Sequence, residues 1–386
     1  MKQRIRDGLS KLPPLLDTGV SGHVGCDSHL VVRGYPLNDL ARNVCFEEMF
    51  HLALYQRLPT RQELRGFSGI LEERGAAIPE IGSRVLGAFK GDEDPLDVIT
   101  SCLAAISATT KSPVRRPEQY LIETAISVMS FYSSILSNFI AKRTLAGMSE
   151  VSDDRLGFSE SFIVRCFGEK SSSDKAGYLD RLLVLASEQG LTASTFAART
   201  AASTRADFFS SVIAAVQTWS GYRHGAASEH AYRDLLSIVE RDGDVEGFAS
   251  SKRVEGIPMF GFGHRRYKKS RDPRIEVLAS LAKHAVDEFG GTLSGAAQSA
   301  VSYFENGKRK FANPDLYVAI LLEALGFSSR EAPAVVFMGR LAGVSAHVLE
   351  ENGPMRPMLR GESLYTGDPE RPVVPICSRG FGEESE

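Results

Sequence analysis

A glycine-flanked turn around His264 holds the densest group of residues that could do chemistry. It runs Gly261-Phe-Gly-His264-Arg-Arg-Tyr-Lys268-Lys-Ser-Arg-Asp272-Pro-Arg274. Glycines let backbone N–H groups approach a ligand closely, and a histidine exchanges a proton near neutral pH. The five Arg or Lys residues between positions 265 and 271 suit an anionic ligand that carries phosphate or carboxylate groups. A solvated basic loop is the alternative. A dinucleotide-binding loop is disfavoured because position 266 is Arg rather than Gly.

Two further residues stand in similar contexts. His224 follows Gly221, and Asp315 lies in Asn313-Pro-Asp315. We expect both, like His264, to lie at helix boundaries, where side chains enter clefts and backbone N–H groups are unpaired. Two imidazoles and a carboxylate suit proton abstraction next to a carbonyl group, because the carboxylate takes the proton while the imidazoles polarise oxygens. Helix capping is the alternative for each residue taken alone.

Five of the remaining histidines have only structural interpretations, and no pair has the spacing of metal ligands, so we expect no metal. These residues are His23, His29, His51, His230 and His284, each without a neighbouring motif.

Composition narrows the class of protein. The chain has 386 residues, 43% of them apolar, which is enough for a large core or two domains. A net charge of −3 argues against a nucleic-acid-binding protein. The five cysteines form no C-x-x-C motif, which fits a reducing cytoplasm. No run of about 18 apolar residues occurs, so we expect no membrane span.

The elements that position these residues are predicted to be almost all helical. A short strand entering a turn is expected at residues 30–36. Apolar spacing of three and four predicts a well-buried helix over 117–147 and further helices over 235–254 and 273–289. Thr60 with Glu63, and Ser328 with Glu331, have the spacing of capping boxes. Polar breaks are expected at 149–157 and 168–176. The fold class predicted is all-α.

Several short segments then follow one another in a characteristic order. They are Arg33-Gly-Tyr-Pro36 through Leu58-Pro-Thr60, Ala193-Ser-Thr-Phe196, Arg223-His-Gly225, Gly261-Phe-Gly-His264 with Asp272-Pro-Arg274, Pro314-Asp-Leu-Tyr317, Gly339-Arg-Leu-Ala-Gly343 with Ala346-His347, and Arg356-Pro. From about residue 30 to 367, this ordered set resembles the citrate synthases and 2-methylcitrate synthases.

The resemblance implies a citrate synthase-like homodimer with a large helical domain (1–220 and 326–386) and a smaller one (221–325). The implied reaction, known from the tricarboxylic acid cycle, condenses acetyl-CoA or a related acyl-CoA with a 2-oxo acid and hydrolyses the thioester. Coenzyme A is then a co-substrate, with no permanently bound cofactor. The implied partners are small-molecule substrates, without nucleic acid or membrane.

Roles follow from the resemblance motif by motif. Asp315 would remove a proton from the acyl methyl group. His224 would stabilise the enol or enolate at the thioester oxygen, and His264 would protonate the keto oxygen of the acceptor. The implied binding residues are Arg274 and Arg340 for acceptor carboxylates, Arg356 for the neighbouring subunit's site, and Gly261, Phe262, Gly263 and Lys268 for CoA.

Three departures from the family pattern concern the acceptor. Relatives carry H-E-x-N-A-S-T-F where this chain has Gln189-Gly-Leu-Thr192-Ala-Ser-Thr-Phe196, so Gln189 and Thr192 replace His and Asn. Tyr222-Arg223 replaces a small apolar pair before His224, and the segment from His264 to Arg274 is one residue longer. We therefore expect a modified acceptor pocket in which oxaloacetate reacts less well than another 2-oxo acid.

Two other functions use the same residues. A lyase that cleaves a citryl-type thioester runs the reaction in reverse with the same groups. A non-catalytic relative that binds CoA or a metabolite is the other alternative, and the intact trio of His224, His264 and Asp315 disfavours it.

Overall fold

The structure, a computed structural model, describes residues 16–25, 29–110, 112–113, 116–144, 157–168, 172–268, 270–307, 310–353, 356–361 and 363–379. Within these ranges the fold is helical apart from three short strands, which confirms the predicted all-α class. The strands are β1 (Ser21–Val24), β2 (His29–Val32) and β3 (Tyr35–Pro36). The helices are α1 (Leu37–Asn43), α2 (Phe46–Tyr55), α3 (Arg61–Ala76), α4 (Glu80–Ala88), α5 (Pro95–Thr109), α6 (Glu118–Thr144), α7 (Phe158–Phe167), α8 (Ser172–Ala186), α9 (Ala193–Ser203), α10 (Phe208–Trp219), α11 (Ala226–Val239), α12 (Val245–Val254), α13 (Ile275–Phe289), α14 (Leu293–Val301), α15 (Pro314–Leu325) and α16 (Ala332–Glu351), with a π-helix at Ser302–Gly307 and a 3-10 turn at Ile376–Ser378.

The strands form an antiparallel sheet in the order β1-β2-β3. The expected strand and turn at 30–36 are present as β2 and β3, joined at Arg33 and Gly34. Their φ angles of 47° and 91° fit a two-residue hairpin turn. Strand β1 was not predicted. Its Ser21 and His23 are partly buried while Gly22 and Val24 are exposed, as expected where alternate side chains point to opposite faces.

Helices α6 and α16 form the centre of the core. Both are apolar nearly all round, and the Tyr132 hydroxyl of α6 donates to the Ala334 carbonyl of α16 at 2.9 Å. Both are long and apolar enough to cross a membrane, but 78% and 94% of their most apolar stretches are buried inside the protein. Such burial is what a helix without a polar face requires in a globular core.

Two glycines bring α16 against the end of α8. A Cβ atom at Gly339 would lie 2.6 Å from the Leu183 carbonyl oxygen. A Cβ at Gly343 would collide with the Ser187 carbonyl and the Glu188 carboxylate, and the Gly343 N–H donates to that Ser187 carbonyl at 3.1 Å. Only glycine permits this approach. The loop after α8 is thereby fixed to α16.

Helices α11 to α15 pack largely on one another, with α13 against α15 and α11 against α14 and α15. Helix α16 contacts α2, α6, α8, α9 and α10, and it also touches α11 and α15. The predicted domain boundaries at 220 and 325 fall at the ends of α10 and α15. The division into a large and a small domain stays a prediction.

Of the two predicted capping boxes, one is present. The Glu63 N–H donates to Thr60 Oγ1 at 3.3 Å, and the Thr60 N–H donates to Glu63 Oε2 at 2.8 Å. At the second, the Ser328 N–H donates to Glu331 Oε2 at 2.7 Å, but α16 begins only at Ala332. The Glu331 N–H bonds instead to the Ser328 carbonyl, so that prediction was wrong about where the helix starts.

Helix limits elsewhere depend on residues with positive φ. The predicted helix at 235–254 is interrupted by Asp242 and Gly243, whose φ angles of 53° and 84° end α11 before α12 begins. Arg205, with a φ of 66°, separates α9 from α10. The polar break predicted at 168–176 is wrong from residue 172 onward, where α8 begins. Residues 149–156 of the other predicted break lie outside the described residues.

Candidate active site

Asp315 is the second residue of α15, but it does not cap that helix. Asn313 does so: its side-chain oxygen accepts from the Asp315 N–H at 3.0 Å, and its amide nitrogen donates to the Gly263 carbonyl at 3.0 Å. No hydrogen bond to the Asp315 carboxylate exists among the described residues. The capping interpretation is therefore wrong for Asp315, and its carboxylate is left for chemistry.

The turn at 261–263 is tied to the chain segment that leads into α15. Gly261 and Gly263 have φ angles of 84° and 81°, which favour glycine. The Asn313 N–H donates to the Gly261 carbonyl at 2.9 Å, and the Gly263 N–H donates to the Phe311 carbonyl at 2.8 Å. Phe262 is buried against Phe304. Asp315 and the turn before His264 thus have fixed relative positions.

His264 lies in the loop between α12 and α13, so its predicted place at a helix boundary was wrong. Its Nδ1 accepts from the N–H groups of Arg266 and Tyr267 at 3.1 and 3.2 Å. Since a backbone N–H only donates, the proton of the neutral ring is on Nε2, which lies 3.8 Å from Asp272 Oδ2. Burial lowers the pKa of His264, Asp272 opposes this, and Arg274 adds to it. The ring is neutral and presents an N–H donor.

His224 immediately precedes the start of α11. Its Nε2 accepts from the Ser194 N–H at 3.2 Å and lies 2.9 Å from Ser194 Oγ, so the neutral ring carries its proton on Nδ1. Burial and the nearby Arg340 lower the pKa of His224 to about 4. The ring packs edge-on against Trp219 at a centroid distance of 4.7 Å. This second imidazole is also a neutral donor at neutral pH.

Two arginines, one buried (Arg340) and one partly buried (Arg274), stand beside these groups. Arg274 forms a two-pronged ion pair with Asp272, with N–O distances of 3.1 and 2.7 Å. Arg340 donates from Nε to the Ala186 carbonyl at 2.7 Å and lies over the Trp219 ring. Burial lowers the pKa of Arg340 to about 10. Arg340 makes no ion pair with any described residue, so its charge is available to an anionic substrate.

The electrostatic environment links the catalytic candidates. Burial raises the pKa of Asp315 to about 6, while Arg274 and Arg340 pull it down. Arg274 also acts on the pKa of His264, and Arg340 acts on that of His224. All three predicted residues are therefore close enough to this pair of arginines for their pKa values to be affected. A carboxylate with a pKa near 6 is ionised at neutral pH yet remains basic enough to take a proton.

Gln189, Thr192 and Arg223, where this chain departs from the pattern of the family it resembles, have different surroundings. Gln189 and Arg274 line a cavity of about 310 Å³. The Gln189 Oε1 atom is buried without a hydrogen-bond partner among the described residues. Thr192 Oγ1 lies 3.1 Å from Thr195 Oγ1. Arg223 is exposed and forms no ion pair within the described ranges, which fits a solvent-facing side chain.

Lys268 and Arg356 are not brought to this group by any described contact. The Lys268 side chain is exposed, and its N–H donates to the Arg266 carbonyl. Arg356 pairs with Asp17 at 3.7 Å and with Glu350 at 3.8 Å. Their predicted roles stay predictions.

Sequence reasoning missed three contributors. Asp272 was read as part of a motif, but it neutralises Arg274. Glu188, which no motif highlighted, accepts from Ser21 Oγ at 2.7 Å and from the Gly190 N–H. His23 was given only a structural interpretation, but its pKa is lowered to about 4 by burial and by nearby Arg266. Alternation along β1 was the only signal for His23, and four residues are too few to show it.

Among the described residues, no group of three His, Cys, Asp or Glu side chains is arranged to hold a metal.

Comparison with known proteins agrees with this geometry. The model of the family "Citrate synthase, C-terminal domain" matches residues 13–360. The chain belongs to the citrate synthase family. Similar family members include a citrate synthase of Saccharolobus solfataricus, 29% identical over 90% of this chain and 92% of its own length. A 2-methylcitrate synthase of Shewanella oneidensis is 28% identical over 95% of this chain and 94% of its own.

Solved structures agree as well. The citrate synthase of Thermotoga maritima superposes with a TM-score of 0.82 at 28% identity, covering 95% of this chain and 98% of that one. The Thermoplasma acidophilum enzyme, in ternary complex with carboxymethyl coenzyme A and oxaloacetate, superposes with a TM-score of 0.86 at 25% identity over 97% of this chain and 99% of its own.

Proposed function

We propose that this family member condenses acetyl-CoA, or a related acyl-CoA, with oxaloacetate or a related 2-oxo acid and then hydrolyses the thioester. The observation that carries the proposal is the carboxylate of Asp315, which has no hydrogen-bond donor among the described residues and a pKa raised to about 6. It shares its surroundings with two neutral imidazoles. Related citrate and 2-methylcitrate synthases support the same reaction.

The order of events follows from which groups accept protons and which donate them. Asp315 takes a proton from the acyl carbon next to the thioester. The Nδ1–H of His224 stabilises the negative charge that forms on the thioester oxygen. The enol carbon attacks the keto carbon of the acceptor while the Nε2–H of His264 is given to its oxygen. Water then cleaves the thioester and releases CoA.

Binding is proposed for the remaining residues. Arg340 and Arg274 hold acceptor carboxylates; Arg340 has no carboxylate partner among the described residues, and Arg274 is oriented by Asp272. Coenzyme A binds as a co-substrate, rather than as a resident cofactor, along Gly261–Gly263 and Lys268. The Gly263 N–H already donates to the Phe311 carbonyl. Gly263 therefore contributes to CoA binding only by letting the backbone approach the ligand closely. We also propose a cytoplasmic homodimer in which Arg356 completes the neighbouring site.

The test is release of free thiol from acetyl-CoA with a panel of acceptors: oxaloacetate, 2-oxobutyrate, pyruvate, glyoxylate and 2-oxoglutarate. The wild type is compared with a Gln189→His, Thr192→Asn double variant. We expect turnover with at least one acceptor, and a 2-oxo acid that exceeds oxaloacetate in kcat/KM. No thiol release with any acceptor would contradict the proposed function. Oxaloacetate as the best wild-type acceptor, with no gain in the variant, would contradict only the modified pocket.

A further inference from the structure

The inner face of β1 lies along the loop that carries Gln189. Ser21 and His23 share that face, two residues apart. Ser21 Oγ donates to Glu188 Oε1 at 2.7 Å. A Cβ atom at Gly190 would lie 3.9 Å from His23 Cε1, so the imidazole sits directly beside this loop. Gly190 has no side chain to separate the ring from the loop.

Two polar atoms on these neighbouring segments have no hydrogen-bond partner among the described residues. His23 Nε2 and Gln189 Oε1 are both buried and unbonded among the described residues. Leaving a buried polar atom unpaired costs about 1–3 kcal/mol, so two of them on neighbouring segments indicate a place that a polar ligand group fills. Gln189 lines the 310 Å³ cavity together with Tyr267 and Arg274.

The ring of His23 also stands within the electrostatic field of the proposed acceptor site. Burial, then Arg266 and Arg274, lower the pKa of His23 to about 4, against a smaller opposing effect of Asp272. Tyr267 lies between the two imidazoles, with centroid distances of 6.4 Å to His23 and 4.8 Å to His264. His23 is therefore a neutral hydrogen-bonding group close to the residues proposed to bind the keto acid.

We propose that His23, which lies next to the Gln189 loop, is a specificity-determining residue whose Nε2–H donates to a polar group at the end of the 2-oxo acid remote from its keto carbon. The inference rests on the proposed condensation reaction. It assigns to the N-terminal hairpin a part in choosing between acceptors that end in a hydrogen-bonding group and acceptors that end in a methyl group.

The experiment compares His23→Ala with wild type on matched acceptors: oxaloacetate against 2-oxobutyrate, and 2-oxoglutarate against 2-oxopentanoate. The methyl-ended member of each pair lacks the terminal carboxylate. We expect the ratio of kcat/KM, polar over methyl-ended, to fall about tenfold, as for loss of one hydrogen bond to a charged group. The KM for acetyl-CoA should not change. His23→Gln, which keeps a hydrogen-bonding group, should recover part of the ratio.

Val24→Ala is the matched control, since this side chain lies on the outer face of the same strand and is 52% exposed. It should leave the ratio as in wild type. A ratio within about twofold of wild type in both His23 variants, whatever their melting temperatures, would overturn the proposal. If wild type releases no thiol with any acceptor, the proposed function itself fails, which is a separate result. Should His23→Ala not fold, the His23→Gln ratio against that of Val24→Ala decides.

Discussion

Two carboxylates near the site, those of Asp315 and Glu188, have opposite environments. Glu188 is fully buried and accepts from Ser21 and from the Gly190 N–H, with His347 Nε2 3.3 Å away. Although burial alone would raise its pKa, His347 and these donors hold the pKa of Glu188 below its ordinary value. Asp315 has no such donors, and burial raises its pKa to about 6.

The difference is the one expected between a structural carboxylate, Glu188, and the proposed base, Asp315. A carboxylate held by hydrogen bonds is stabilised in its charged form and is a weak base. A desolvated carboxylate without hydrogen-bond donors has a raised pKa and is therefore a stronger base. Neighbouring donors, rather than burial alone, therefore distinguish the pKa of Glu188 from that of the proposed base, Asp315.

The largest effect is expected for Asp315→Asn. Removing the base while keeping the side-chain shape should lower kcat about a thousandfold. Melting temperature and CoA binding should remain close to wild type, because Asn313 caps α15 without help from this carboxylate. Steady-state thiol release measures the change. Activity within about tenfold of wild type would remove Asp315 from its role.

Glu188→Ala should act on stability instead. The change leaves His347 and the Gly190 N–H without their buried partner, and breaking such a pair costs about 3–5 kcal/mol of the free energy of unfolding. Urea unfolding measures it, with Glu73→Ala, an exposed glutamate on α3, as a surface control. A loss below about 1 kcal/mol would show that Glu188 does not hold the loop.

The two imidazoles should rank next. His224→Ala and His264→Ala should each lose on the order of a hundredfold in kcat, as for loss of one donor to a developing oxyanion. His284→Ala, an exposed histidine on α13 outside the described site contacts, is the control. Near wild-type turnover in either variant would remove that histidine from the proposed mechanism.

The smallest effect is a pH dependence that sharpens the comparison. Asp315 must be ionised to act, so kcat/KM should fall as pH drops through about 6, roughly tenfold per unit below it. His224 stays neutral down to about 4 and does not set this limb. Glu188→Gln should leave the limb in place. An acid limb near the ordinary value for an aspartate, about 4, would mean that the free carboxylate is better solvated than the structure indicates.

Much of the candidate site could be predicted from sequence because its residues stand in short motifs, next to residue types that are typical of helix ends. Asn313-Pro-Asp315 is one case, yet sequence could not tell which of its two cap-forming residues caps the helix. Both types accept a backbone N–H, and only the β-region backbone of Asn313 decides. The all-α class was equally visible in the apolar spacing of α6.

What sequence could not show were contacts between distant segments. Ser21 donates to Glu188, which is 167 positions away in the chain. Even the nearby ion pair of Asp272 with Arg274 does not follow from the Asp-Pro-Arg motif, because the motif does not fix the side-chain directions. Strand β1 is four residues long, which is too short for its alternation to be recognised. Glu331 accepts from the Ser328 N–H as in a capping box and also from Arg143 of α6 at 2.8 Å, a tertiary contact that spacing does not show.

The close approach of α16 to α8 has a consequence for how this enzyme can diversify. The backbone of the loop after α8 is held by the hydrogen bonds from the Gly343 N–H to Ser187 and from the Gly190 N–H to Glu188. Neither bond involves the side chains of Gln189 and Thr192. Those two positions can therefore be exchanged without moving the backbone or Arg340, which projects from between the glycines. Substitutions at these two positions can then change the acceptor preference. A methyl group added at Gly343 would instead displace the whole loop and impair binding of every acceptor.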